Sequence, residues 1–384
     1  MNIIYLTTSM RPQDFYALMD KCSIKPNPSN QNFHHKLISL LGKDHRLEVI
    51  SIRPVSHITS TERFFPALEA DNYHYVGFHN TPLRRRFDLF NNSIKIIKKI
   101  IETSGSDTLI IVDGLSFLLA KIALKIKNLF HVPVLAIYTD NPCNITGVTE
   151  KYITNIERLY GKFDLFFTIT PGLNLRVNKM GRPSMTYEGM VDPPQPFNPE
   201  ITKKYGRYFF FAGALYERYG LKNLIDGFLS SNVQDKLLIA GHGPGQKDII
   251  AAQEKCDRII YLGLLSEKEV AEFASAALAC INPRPLNEQF DQQSLPSKVL
   301  QYLNSGVPVI SSKHPRLYQV FKEDVIWLKD TSSNTIKETI EQIASDPYQF
   351  QVMAKKGRID VQMHYGQENM RKRINDFLTK NVRF

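Results

Sequence analysis

Short apolar runs alternate with helix-length amphipathic stretches along almost the whole chain, and this alternation restricts the fold more than any other feature. In the first half, Asn2–Thr7, Leu47–Ile52, Thr108–Asp113, Val132–Thr139 and Phe163–Ile169 read as strands. Between them, Ser93–Glu102 sets Ile94, Ile97 and Ile101 on one helical face and Lys95, Lys98, Lys99 and Glu102 on the other; Leu115–Leu129 has the same character. Strands interleaved with helices predict an α/β fold, a parallel sheet with helices on both sides. The pattern stops at Asp192-Pro193-Pro194-Gln195-Pro196-Phe197-Asn198-Pro199. Proline has no N–H and a fixed φ, so this run reads as a linker. Alternation restarts with Tyr208–Ala212, Lys236–Ala240, Arg258–Leu262, Leu278–Ile281, Val307–Ser311 and Val325–Leu328. A chain of 384 residues also exceeds the roughly 250–300 that one core usually spans. Two Rossmann-like doubly wound domains are therefore expected, 1–195 and 200–365. Residues 366–384 form a tail in which Met370, Ile374 and Phe377-Leu378 share a face, either capping the second domain or packing back toward the first.

Charge and cysteine content narrow the function classes. The 48 Lys and Arg against 38 Asp and Glu leave +10, which favours anionic partners. Cys22, Cys143, Cys256 and Cys280 stand far apart with no CxxC pair, which disfavours a zinc ribbon, a thioredoxin-type site and a disulfide scaffold. No signal-like segment opens the sequence, and no uncharged apolar run approaches the ~18–20 residues of a membrane span. The expectation is a cytoplasmic protein that at most lies on a membrane surface.

Ligands of open α/β sheets bind past the carboxyl ends of the strands, so the strand-to-helix turns carry the functional signal. The first turn, Thr7–Gln13, has no glycine, which disfavours a nicotinamide enzyme. GxxxxGK[ST] and DxD are absent, so neither a P-loop nor a metal–diphosphate bridge is expected, and no cofactor is. Gly213 follows Tyr208–Ala212, and Gly241-His242-Gly243-Pro244-Gly245 follows Lys236–Ala240. Such glycines either make a tight turn or let backbone amides approach an anion. The turn after Leu278–Ile281 says more: it runs through Asn282-Pro283-Arg284-Pro285 and Glu288 to Ser294-Leu295-Pro296-Ser297-Lys298, where a helix starts. Ser297 suits a cap or a donor, and a lysine in the first turn opposes the helix dipole unless an anion joins it. The other reading is a solvated lysine.

These residues carry a resemblance. Phe211-Ala212-Gly213-Ala214-Leu215 with Tyr219-Gly220-Leu221, the Leu238–Gly243 turn, Ile260–Gly263, and Asn282-Pro283-Arg284 through Lys298 to Gly306–Ile310 resemble family 4 of the retaining glycosyltransferases, of GT-B fold. The match is strongest over residues 205–330 and closest to the branch of bacterial surface-polysaccharide assembly. The resemblance implies two domains facing across a cleft, with a nucleotide-sugar held mainly by the second and a saccharide or lipid-linked acceptor by the first. It implies that Gly213 lies at the donor diphosphate with Gly241 and Gly243 nearby, that Arg218 and Lys298 balance its charge, and that Ser294, Leu295, Pro296 and Ser297 contact it. Arg284 and Glu288 then approach the sugar. Gln301 stands where the family has a ribose-binding glutamate; the family's spaced pair of acids is Gln293 and Gln301 here. Glutamine still accepts and donates one bond each, at a cost on the order of 1 kcal/mol for the lost charge. Asp140 is the first-domain candidate for orienting acceptor or sugar, or equally a helix cap. Arg84-Arg85-Arg86 with Phe87, Leu89 and Phe90, ahead of Lys95, Lys98 and Lys99, suggests an anionic membrane face as a further partner, against a solvated helix face as the alternative. A catalytically silent subunit partnering an active enzyme, a GT-B epimerase and a nucleic-acid binder are the competing readings, the last without any recognisable motif.

Overall fold

The structure, a computed structural model, describes all residues except Asn27, Ser106, Thr146, 288–290 and Phe384. The chain divides into two compact units, Met1–Gly189 with Arg371–Phe384, and Met190–Met370. Strands are numbered in chain order, and each unit is built on a parallel sheet.

In the first unit β1 (Asn2–Thr7) lies between β2 (Arg46–Ser51) and β7 (Thr108–Asp113), parallel to both. The sheet runs on from β7 through β8 (Val134–Tyr138), β9 (Leu165–Thr168) and β10 (Ser184–Thr186). Beyond β2 come β5 (Tyr73–Tyr75), parallel to it, and β4 (Leu68–Ala70), antiparallel at the edge. The winding direction reverses between β1 and β7. Every residue of β7 and β8 is buried, as continuous apolar runs require when helices cover both sheet faces. β8 begins later than its apolar run because Pro133 has no N–H to give; its carbonyl instead accepts from Ile110.

Two features of this unit depart from the sequence pattern, and a third concerns the tail, for which either domain was expected. Residues 64–79 hold a nested pair of hairpins. Phe64–Phe65 (β3) pairs antiparallel with Phe78–His79 (β6) around β4 and β5, and Asp71 turns the chain at φ +54°. Strands of two or three residues are too short to show alternation. Second, the helix expected from Ser93 spans Arg84–Ser104, taking the triple-arginine run into its first turn. There Arg85 lies over the Phe78 ring at 5.4 Å and Arg86 over Phe117 at 5.8 Å, while Leu89 is fully buried. Of the expected exposed apolar row only Phe87, 69% exposed, stands clear. Third, from Arg371 onward the final helix, Gln367–Asn381, belongs to the first unit. Arg371 forks the Asp44 carboxylate at 2.7 and 2.6 Å, Asn375 donates to it at 2.6 Å, and Phe377 packs on Phe167.

The second unit is a six-stranded parallel sheet: β11 (Tyr208–Ala212), β12 (Lys236–Ala240), β13 (Ile259–Gly263), β14 (Ala279–Asn282), β15 (Val309–Ser312) and β16 (Ile326–Leu328), in the order β13-β12-β11-β14-β15-β16. This is the order of a dinucleotide-type doubly wound sheet, whose crevice opens between the two strands where the winding reverses, here β11 and β14. The proline-rich run is tied to this unit. Val191 bridges to Gly366, and the Asp192 carbonyl accepts from Asn304 and Gln362. Among the described residues no helix is long and apolar enough to cross a membrane.

One contact fixes the helix Lys298–Ser305 against the end of β11. Its buried Tyr302 hydroxyl accepts from the Ala212 N–H at 2.8 Å and donates to the Ala212 carbonyl at 3.1 Å. Tyr302→Phe keeps the ring and leaves both backbone groups buried without that partner. The expected loss is about 1–3 kcal/mol in denaturant unfolding; an unchanged midpoint and slope would show that water or a shifted backbone replaces the hydroxyl.

Candidate functional site

The carboxyl ends of β11 and β14 flank the crevice position, and the turns that follow them meet side chain to backbone. Gly213 follows β11. A Cβ placed on it would lie 1.3 Å from Lys298 Nζ and 2.1 Å from Lys298 Cε, so the lysine's ammonium occupies the space where any other residue would have a side chain. The neighbouring turn is as tight: a Cβ on Gly241, at φ +138°, would lie 1.8 Å from the Gly213 carbonyl oxygen. The Gly213 N–H is bonded to Ala240 O and the Gly241 N–H to Gly263 O. Neither glycine's own amide is left for an anion; these glycines serve close packing between turns. Gly243 acts likewise, its Cβ position lying 2.7 Å from Leu215 O.

Three cations converge on one ring. Lys298 Nζ lies 6.0 Å from the Tyr219 centroid, Arg284 5.6 Å and Arg218 5.1 Å. Lys298 also sits 4.9 Å over Phe211, and Arg218 5.2 Å over Tyr216. Aromatic faces attract cations but carry no charge to offset them. Arg284 has an acid nearby, the buried Asp291 at 3.5 Å, and donates to the Ser294 hydroxyl at 2.9 Å. Among the described residues Lys298 has no carboxylate within ion-pair distance. Burial, with the Arg284 charge adding to it, pushes Lys298 down to about 8. His314, buried beside the same group, is pushed down to about 4, mainly by burial and against the pull of Asp291. It stays neutral near pH 7 and adds no charge. Lys298 thus brings to a strand-end crevice a half-buried positive charge with no acid of its own among the described residues, an arrangement that suits a multiply charged oxyanion.

The expected residues fall into distinct groups. Gly213, Arg218, Arg284, Ser294 and Lys298 come together around Tyr219, with Gly241 and Gly243 packed behind Gly213. Leu295 and Pro296 form the turn into the helix, their carbonyls accepting from Ser297 N–H and Val299 N–H. Ser297 stands at the N-cap in helical conformation and its hydroxyl makes no capping bond, contrary to one reading of its role. Gln301 Nε2 donates to Glu267 Oε1 at 3.0 Å. Glu288 lies outside the described residues. Asp140 is in the first unit, where its Oδ1 accepts from Asn141 N–H and Asn144 Nδ2 and so holds the turn after β8. The sequence pattern missed Tyr219 as the shared aromatic platform and Tyr302 as the anchor. A group of three or more His, Cys, Asp and Glu placed to hold a metal does not occur among the described residues.

Comparison with known proteins agrees with this architecture. Residues 195–360 match the family described as glycosyl transferases group 1. The crystal structure of Anabaena HepE in complex with UDP superposes at a TM-score of 0.69 with 11% identity, covering 99% of this chain and 100% of that one. HepE with UDP-glucose gives 0.65 at 13% identity over 99% and 100%. The lipopolysaccharide outer core galactosyltransferase WaaB, in its apo form, gives 0.63 at 15% identity with full coverage of both chains. Among curated proteins no sequence matches this chain. The fold is GT-B, two Rossmann-like domains in one chain.

If the absent Cβ of Gly213 makes room for the ammonium, Gly213→Ala must expel it. Lys298 is expected to return from about 8 toward the ordinary lysine value of about 10.5, followed by the ε-carbon shift of labelled lysine across a pH titration. A Lys298 resonance still titrating near its original value in the variant would refute the packing argument.

Proposed function

We propose that this chain is a glycosyltransferase that moves a sugar from a nucleoside diphosphate to a saccharide hydroxyl. The observation that carries the reading is Lys298: a half-buried ammonium, without a carboxylate partner among the described residues, at the switch-point crevice of a nucleotide-type sheet. The family match over residues 195–360 spans every element of the cluster, and HepE, of the same fold, holds UDP and UDP-glucose. A diphosphate supplies the counter-charge that Lys298 does not have among the described residues.

In the proposed reaction the bond from the anomeric carbon to the diphosphate oxygen breaks, and a bond from that carbon to the acceptor oxygen forms on the same face. The acceptor proton passes to the departing diphosphate. Configuration is retained and nothing is oxidised. Lys298, Arg284 and Arg218 stabilise the charge growing on the leaving group. Cations already held in place do this without reorganising during the step. The acceptor is proposed to be a saccharide, free or lipid-linked, in cell-surface polysaccharide synthesis, as the sequence resemblance implies. The silent-subunit reading retains the donor site and loses the transfer, so a measured turnover decides between the two.

Diphosphate binding must favour the charged lysine. The free protein loses that proton near pH 8, whereas a bound anion holds it to higher pH, so binding takes up a proton and weakens as pH rises through that range. Calorimetry with UDP is expected to show roughly tenfold weaker binding at about pH 9.5 than at about pH 7.5. Lys298→Gln should lose that pH dependence and bind roughly ten- to a hundredfold more weakly at about pH 7.5, the worth of a charge-assisted bond, with the gap closing as pH rises. Equal affinity of wild type and variant at about pH 7.5 would remove Lys298 from the donor site.

A further inference from the structure

The first unit contains a charged group that the transfer reading leaves unused. Past the carboxyl ends of β1, β2 and β5 lies a cavity of about 330 Å³, near the lower end of small-molecule sites. Its lining includes Met10, which follows β1, Arg53, which follows β2, and Tyr75, the last residue of β5. The nested hairpins close one side with Phe64 and Phe65.

Arg53 is only 8% exposed. Its guanidinium lies 5.0 Å from the Tyr75 ring and 5.9 Å from the Phe65 ring, and all three residues line the cavity. It donates one hydrogen bond, to the Val76 carbonyl at 3.3 Å. A guanidinium carries five N–H donors and does not deprotonate in proteins. No carboxylate stands within ion-pair distance of it among the described residues. The nearest candidate, Asp14, is already engaged: Arg11 donates to it at 2.8 and 3.2 Å and the Tyr75 hydroxyl at 2.5 Å, and these bonds keep its pKa below the usual value against its burial. At the exposed rim Lys21 and Glu62 offset one another. A buried, permanently charged group with most of its donors unused is costly unless an anion completes it.

We propose that this cavity binds an oxyanion, a phosphate monoester or a carboxylate, carried on a sugar ring, with Arg53 as its forked donor and the Phe64–Leu68 wall as the apolar face. The planar fork matches two oxygens of either anion. The anion site stands on the first unit alone; only the identification of its carrier as the acceptor saccharide rests on the transfer reading.

Calorimetry on the full chain, without any donor, tests it with glucose 6-phosphate, glucuronate, inorganic phosphate and glucose as probes. Either or both of the charged sugars are expected to bind at millimolar concentration or better, with glucose at least about tenfold weaker. The tighter of the two identifies the anion as phosphate or carboxylate. Arg53→Gln is expected to weaken binding by at least about tenfold. Should that variant not fold, Leu68→Asp places a negative charge on the 49% exposed rim without entering the core and is expected to do the same. Lys298→Gln should leave this binding intact, which separates the cavity from the cluster in the second unit. The proposal is overturned if no charged sugar binds, if binding survives both Arg53→Gln and Leu68→Asp, or if Lys298→Gln abolishes it. Intact binding in a chain that transfers no sugar would sink the transfer reading alone.

Discussion

The second unit is organised around an ammonium group lying where a neighbouring residue has no side chain. Lys298 reaches the end of β11 because Gly213 contributes only a hydrogen there, and the helix bearing Lys298 is held at that distance by the Tyr302 hydroxyl on both backbone groups of Ala212. Remove either contact and the charge moves to water, where a lysine is cheap and has no reason to wait for an anion. The proposed chemistry thus depends on two backbone details rather than on a chain of polar side chains.

Charge balance around this point is uneven by construction. Asp291 is buried next to Arg284 and His314, so it offsets the arginine and leaves the lysine alone. His314 is kept neutral by burial and adds no further cation. What remains is the Lys298 ammonium, which shares the Tyr219 ring with two arginines. Stacking on that ring holds the cations together without neutralising them, which an acid in the same place would do.

Much of the scaffold was legible because parallel strands covered on both faces must be uniformly apolar, so β7, β8, β11 and β12 stand out from the amphipathic segments around them. The hairpins at 64–79 were not, since strands of two residues have no period. Among site residues, Gly213 and Gly241 were legible as unusual positions, yet the reason differed: their amides are spent on Ala240 and Gly263, and it is the missing Cβ that matters. Tyr302 was illegible as an anchor because its partner, Ala212, lies 90 residues earlier. Nothing local marks such a pairing. Arg53 was illegible for the same reason, being defined by rings that the chain reaches only at Phe65 and Tyr75.

Gln301 illustrates how a departure in sequence need not be a departure in chemistry. The resemblance places a carboxylate at that position, and a glutamine there suggests a weakened site. In space, however, Gln301 donates to Glu267, which stands at the start of another helix, Glu267–Ser275. An acid is therefore present beside position 301 even though it is absent from it. The glutamine amide fixes one carboxylate oxygen and keeps its own carbonyl as an acceptor, so an acid and an amide stand side by side where the resemblance places one acid. Spacing along a chain reports which element supplies a group; only packing reports whether the group is there.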